Sequence, residues 1–145
     1  MTEQPEAPDW KAFWTQRLLC QLATRRPDGT THLVPVVVTY DEHTGIARII
    51  TNDGSAKVRN IEAAAQNGEG AWVAVSQADH GRWTTLEGTA TVRREPEAVA
   101  EAERRYAERY PEPRPNPNRV AIEIRVRRVM GTVKVPLPAD TANTA

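Results

Sequence analysis

The stretch Leu18-Leu-Cys-Gln-Leu-Ala-Thr-Arg-Arg-Pro-Asp-Gly-Thr-Thr-His-Leu-Val-Pro-Val-Val-Val-Thr-Tyr40 decides the fold. Leu18 to Thr24 reads as a strand, and Thr31 to Tyr40, dense in β-branched residues, reads as its return. Between them Asp28-Gly29 marks a hairpin, because tight hairpin turns need backbone conformations that Gly and Asp adopt at little cost. Two strands joined by a short turn run antiparallel, which argues against a parallel doubly wound sheet. Pro35 has no N–H to give to a ladder, so its part of the return strand belongs at an edge or a bulge.

Working outward, Asp41-Glu42-His43-Thr44-Gly45 makes the next turn and Ile46 to Thr51 a third strand. Asn52-Asp53-Gly54 breaks the pattern, and Ser55 to Ala65 reads as a helix that stops at Asn67-Gly68. Ala71 to Ser76 and Trp83 to Arg93 are further strands, separated by Gln77-Ala78-Asp79-His80-Gly81. Glu95 to Tyr110, with Pro96 in its first turn, is the clearest helix, and the segment Pro111 to Asn118 ends it. Val120, Ile122, Ile124 and Val126 alternate with Ala121, Glu123, Arg125 and Arg127, the period of a half-buried strand. Met130 to Val135 adds a last strand. On the N-terminal side, Asp9 caps a short helix to about Arg17, with Trp10, Phe13 and Trp14 at helical spacing. The expected organisation is a tail over residues 1–8, one α+β domain over 9–136 built as a small antiparallel barrel with peripheral helices, and a second tail over 137–145.

The 145 residues suffice for one core. Nineteen basic and nineteen acidic side chains give a formal net charge of zero, so the basic excess expected of a nucleic-acid or anionic-membrane binder is missing. Cys20 stands alone, which excludes an internal disulfide and a cysteine-based zinc site. His32, His43 and His80 lack the spacing of a helical metal site, and no metal is expected. No apolar run is long enough to span a bilayer and the start lacks the pattern of a signal peptide; the expected location is the cytoplasm.

Neither a nucleophile elbow nor a P-loop is present, so any difficult chemistry falls to a bound cofactor. The most informative segment is Arg48-Ile-Ile-Thr-Asn-Asp-Gly-Ser-Ala-Lys-Val-Arg-Asn60. A strand end, a Gly turn and a helix opening with Ser55 and Lys57 combine free N–H groups, hydroxyls and positive charge. That is either a phosphate site or an ordinary helix start with solvated charges. Gly81-Arg-Trp-Thr-Thr-Leu-Glu-Gly88 places Trp83 where it flanks a planar ring or simply packs, and Gly88 in a strand marks a bulge or a close approach. Tyr106 to Asn118 is either a helix stop with a stiff connector or a rigid lid whose Arg114 offers charge to an acidic substrate.

The order of an Asp-Gly hairpin, His-x-Val-Pro-Val, Arg-x-Ile-x-Thr, Ser-x-Lys-x-x-Asn and Trp-x-x-Leu-Glu-Gly resembles the flavin/deazaflavin oxidoreductases, the split-barrel proteins related to pyridoxamine-phosphate oxidase. The likeness runs from about Trp10 to Val135. Arg-Tyr-Ala-Glu-Arg-Tyr-Pro-Glu-Pro-Arg-Pro-Asn-Pro, then Arg119-Val-Ala-Ile-Glu-Ile and Arg128-Val-Met-Gly131, is similar to the F420-dependent biliverdin reductases of that family's B group. The resemblance implies a homodimer with interface cofactor sites, and F420 as cofactor with FMN as the alternative. It implies that Thr51, Ser55, Ala56, Lys57 and Asn60 hold the cofactor phosphate and nearby tail, with Arg48 as a second basic contact. His32, Val34, Pro35 and Val36 would line the ring system, Ile49 and Ile50 the strand beneath it, and Trp83 would approach from the partner subunit. Hydride would pass between the deazaflavin and a conjugated small molecule, biliverdin being one, with Arg82 or Arg114 pairing its carboxylates. No side chain is singled out as the proton donor. A non-catalytic cofactor-binding protein on the same fold is the remaining reading.

Overall fold

The computed structural model describes residues 9–65 and 70–139. Both expected tails, except residues 137–139, and the Asn67-Gly68 helix stop lie outside the described residues. Helix α1 (Asp9–Thr15) leads into β1 (Cys20–Arg25) and β2 (Thr31–Val36), then β3 (Thr39–Asp41) and β4 (Ile46–Asn52). Helix α2 (Ala56–Ala64), β5 (Ala71–Asp79), β6 (Arg82–Arg93), α3 (Pro96–Arg109) and β7 (Arg119–Gly131) complete the order.

All seven strands form one antiparallel sheet in the order β2-β1-β5-β6-β7-β4-β3. The first hairpin closes as its turn residues predict: Asp28 Oδ1 accepts from the Thr30 N–H and hydroxyl, and Gly29 takes φ 91°. β2 and β3 lie at opposite ends of the strand order, yet only Val37 and Val38 separate them in the chain. A flat seven-stranded sheet would hold its edges about 29 Å apart at ~4.8 Å per spacing. Three Cα–Cα steps reach at most about 11 Å. The sheet is therefore rolled, with an open seam between β2 and β3, and Pro35 sits on the β2 side of that seam, where its missing donor costs nothing.

Three expectations are corrected. The run Thr31 to Tyr40 is two strands, because the chain crosses the seam at Val37-Val38. The loop expected over Gln77–Gly81 shrinks to His80-Gly81, since Gln77, Ala78 and Asp79 pair with Thr84, Trp83 and Arg82. No separate strand forms at Met130 to Val135: β7 continues unbroken to Gly131.

The inward positions of β1, β4, β5, β6 and β7 form the core with Phe13, Trp14, Val38, Val58 and Ile61, and Leu137 packs partly buried against it. Glycine matters most at position 88, where β6 and β7 slip register. A Cβ there would lie 2.0 Å from the Arg125 carbonyl oxygen. The last turn of α3 is tied to the barrel by a buried cation. Arg109 donates to the carbonyls of Gln16 and Val38 and to Gln77 Oε1 (2.8 Å), with its guanidinium carbon 5.1 and 5.0 Å from the Trp14 and Tyr110 ring centres. Cys20 donates to the same Gln77 oxygen, and burial pushes its thiol up to about 11.

Near the other side of α3, Asp41 is 4% exposed, with Arg105 at 3.1 Å and the buried Arg48 at 3.7 Å. Burial opposes its ionisation, but hydrogen bonds from the His43 N–H and Thr44 and the charges of Arg105 and Arg48 outweigh it, so the carboxyl titrates below its usual range. A folded pKa below the unfolded value of about 3.9 means stability that is full above that pH and lost as pH falls through the folded value.

Gly88→Ala should cost about 3 kcal/mol or more, whereas Gly81→Ala, with nothing within 4 Å of the new Cβ, should stay within about 0.5 kcal/mol; thermal or urea melts compare them. Asp41→Asn should cost about 2–4 kcal/mol at pH 7, by stranding buried Arg48 without a counter-charge. Melts between pH 7 and 3 should show a shallower acid decline in this variant than in the native chain.

Candidate functional site

A cleft of about 520 Å³ opens where the seam meets α3 and the segment that follows it. Its apolar wall is Leu19, Pro35, Val36, Val37 and Ile50. Thr51, Asn52 and Lys57 supply one polar side, and Tyr106, Pro113, Arg114, Asn116 and Arg119 the other. Among the described residues the lining holds three cations and no carboxylate. Arg119 is committed to Glu103 at 2.7 Å, but Lys57 and Arg114 have no charge partner among the described residues. Burial alone holds the Lys57 ammonium below the usual lysine range, which marks a positive charge poorly served by water.

The local chain explains the arrangement. β4 must end before α2 begins, and Asn52-Asp53-Gly54 makes that corner. Ser55 then occupies the N-cap position with extended backbone, yet its side chain caps nothing; its buried Oγ has no partner. An unsatisfied buried hydroxyl at a helix opening, two residues before an uncommitted lysine, suits an anionic oxygen. Asn60, on the same helix, is spent on structure: its amide donates to Thr24 Oγ1 and seats α2 on β1. Ala56 is the first residue of α2.

The corner and the Pro-rich segment are fastened together. The Asp53 N–H donates to the Asn118 carbonyl, the Asn116 amide to Asn52 Oδ1, and the Asn118 N–H to Asn116 Oδ1. Pro113 and Arg114 thereby become a wall of the cleft, and Tyr106, its ring 5.3 Å from that of Tyr110, stands at the end of α3 beside them.

Of the sequence-derived candidates, Pro35, Val36, Ile50, Thr51, Lys57 and Arg114 line this cleft. His32 and Val34 share the inward face of β2 with Val36 but do not line it; His32 Nδ1 is buried without a partner. Ile49 is wholly in the core. Arg48 is on the β4 face shared with Ile50, but its charge is turned to Asp41. Arg82 lies elsewhere: it pairs with Asp9 at 3.0 Å and stacks on Phe13, because α1 packs across the start of β6. Trp83, 38% exposed, does not line the cleft of its own chain. Tyr106, Pro113 and Asn116 come from the segment offered as a lid and Asn52 from the 48–60 segment, while Leu19, Val37 and Arg119 were not foreseen. Each of these three belongs to a strand end or connector, and only chain closure brings it to the site.

Among the described residues there is no grouping of His, Cys, Asp and Glu that could hold a metal ion, and no helix long and apolar enough to cross a membrane. With its uncommitted cations and one apolar wall, the cleft can take an anion on one side and a planar apolar body on the other.

The chain is similar to known proteins in sequence and in fold. The chain is 46% identical over 124 residues, 86% of each chain, to an F420H(2)-dependent biliverdin reductase of Mycobacterium tuberculosis (strain CDC 1551 / Oshkosh). A solved F420 reductase superposes with a TM-score of 0.65 at 24% identity, covering 88% of this chain and 98% of its own. General Stress Protein 26 from Bacillus anthracis superposes with a TM-score of 0.60 at 18% identity, covering 82% and 87%. The profile described as pyridoxamine 5'-phosphate oxidase matches residues 7–132, and the chain belongs to that family.

Proposed function

We propose that this protein is a reductase that uses reduced F420 to deliver hydride to biliverdin or a similarly conjugated molecule. The observation that carries the proposal is a cleft that, among the described residues, has no carboxylate in its lining and leaves Lys57 and Arg114 without a charge partner, in a chain 46% identical to a biliverdin reductase that depends on F420H(2). The residues present fit the cofactor. Its side chain bears a phosphate and carboxylates, and Lys57, Thr51 and the orphaned Ser55 hydroxyl offer charge and donors for them. When bound, reduced F420 supplies the hydride.

The chain's own contribution is placement. Lys57 and Ser55 hold the anionic end, while Leu19, Val36 and Ile50 keep water from one face of the cleft. Arg114, on a segment pinned through Asn116, is set to pair with a substrate carboxylate. Among the described residues no lining side chain is a carboxylic acid or a histidine, and the proposal gives the chain's part to positioning and charge.

We further propose that two copies meet on the outward sheet face. Strand registers put Leu33, Ala23, Ala74, Trp72 and Trp83 on one side, and Leu33 and Trp72 are 60% and 52% exposed there. A patch of that kind favours association. Trp83 on it would serve the neighbour's site. The lone reduced thiol, Cys20, suits a cytoplasmic setting.

A tryptophan-fluorescence titration with F420 and, separately, FMN should show saturable micromolar F420 binding and weaker FMN binding; the reverse preference would move the protein to FMN chemistry. Lys57→Gln should weaken F420 binding by at least about tenfold, the scale of one charge-assisted hydrogen bond, with the melting temperature unchanged. Leu33→Glu should shift the protein to monomer in sedimentation velocity, and a native chain that is already monomeric would remove the dimer reading.

A further inference from the structure

The corner that opens α2 carries an acid, Asp53, one residue from Asn52 in the cleft lining. A free carboxylate beside an anion site would repel what the site is built to hold. Asp53 is not free. Arg94, in the link between β6 and α3, donates through Nε and Nη2 to both Asp53 oxygens at 3.1 and 2.8 Å. The same guanidinium donates through Nη1 and Nη2 to both oxygens of Glu62 on α2, at 2.7 and 3.1 Å. One planar fork therefore bridges the corner and the helix that follows it, a geometry lysine cannot reproduce. From the other side the Asn118 carbonyl accepts from the Asp53 N–H, and Arg59 donates to the Gly54 carbonyl.

We propose that Arg94 is a positioning residue for the anion site: it neutralises Asp53 and fixes the Asp53–Ser55 corner so that Ser55 and Lys57 face the ligand. This rests on reading the cleft as an F420 site, and it adds a residue that does not line the cleft. The hydrogen bonds from Arg94 hold the Asp53 carboxyl below the usual range, so the acid is charged at neutral pH and its masking matters there. Arg94, Asp53 and Glu62 are each between 43% and 46% exposed. Exposed ion pairs add little to global stability. Loss of Arg94 should therefore appear in ligand affinity and leave the fold intact.

The test compares Arg94→Gln, Arg94→Lys, Asp53→Asn/Arg94→Gln and Lys57→Gln in the full chain, by F420 titration of tryptophan fluorescence at low and high salt, alongside thermal melts. Arg94→Gln should weaken F420 binding by about three- to tenfold, the range of one uncompensated charge near a solvated site, with a melting temperature within about 3 °C of the native chain. Salt should shrink the loss. Arg94→Lys should fall between, and the double variant should recover most of the affinity, because the charge that needed masking is gone. Unchanged binding in Arg94→Gln while Lys57→Gln loses affinity would overturn the role of Arg94 and leave the site reading standing. Failure of the double variant to recover would overturn the masking of Asp53. If neither Arg94→Gln nor Lys57→Gln alters binding, the site reading itself fails, and this inference with it. Should Arg94→Gln melt early, Arg94→Lys and its salt dependence decide the matter.

Discussion

The two-residue crossing at Val37-Val38 is the constraint on which the rest of the molecule depends. It ties the two ends of a seven-stranded sheet together and so forces the sheet to roll. The seam it leaves cannot be sealed by ladder hydrogen bonds along its whole length, because Pro35 sits on one lip. The fold closes the seam with side chains instead. Arg109 reaches the Val38 and Gln16 carbonyls, and the Tyr110 hydroxyl reaches the Leu18 carbonyl. A buried arginine without a carboxylate partner is costly unless its donors are used. Here the backbone carbonyls, Gln77 and two aromatic faces take that part.

The same crossing explains why the cleft lies where it does. Val36 and Val37 leave β2 at the point where β4 turns into α2, so an apolar strand end and a helix opening face each other. The apolar half comes from a strand that stopped, the polar half from a helix that is just beginning. The Pro-rich segment after α3 is held over both by Asn116 and Asn118, since its prolines cannot donate to the backbone. Stiff chain and a few amide contacts place Arg114 without a regular element beneath it.

Much of the architecture could be read from residue order. Asp28-Gly29 announced the first hairpin, Pro35 the edge, Gly88 the bulge, and the alternation from Val120 to Val126 the strand that pairs with both β4 and β6. Ser55 and Lys57 were visible as a helix opening with charge, and they do share that opening. The misses have physical causes. Val36-Val37-Val38 looks like uninterrupted strand, and nothing local says that the chain must cross a seam there. Gln77 to Asp79 looks polar and loop-like, yet it pairs with Arg82 to Thr84 across the two-residue turn His80-Gly81, so polar residues here belong to a hairpin and not to a loop. Arg82 and Arg109 sit in charged or mixed surroundings in the sequence, yet α1 claims the first and the core the second. Leu19 is about a hundred positions from Asn116 and Arg119 in the chain and meets them only through closure.

The distance along the chain between the parts of the seal also governs how this molecule can be made. Hairpins such as β1–β2 and β5–β6 join near neighbours and can form while synthesis continues. The β4–β7 ladder joins residues 67 to 79 positions apart in the chain, and the Arg109 bonds to the Val38 and Gln16 carbonyls span 71 and 93 positions. Barrel closure thus waits until β7 has left the ribosome, and non-local pairing of this kind is slow. In that interval the open seam exposes unpaired edges to other chains, so yield during expression is set by the rate of closure as well as by the stability of the finished fold.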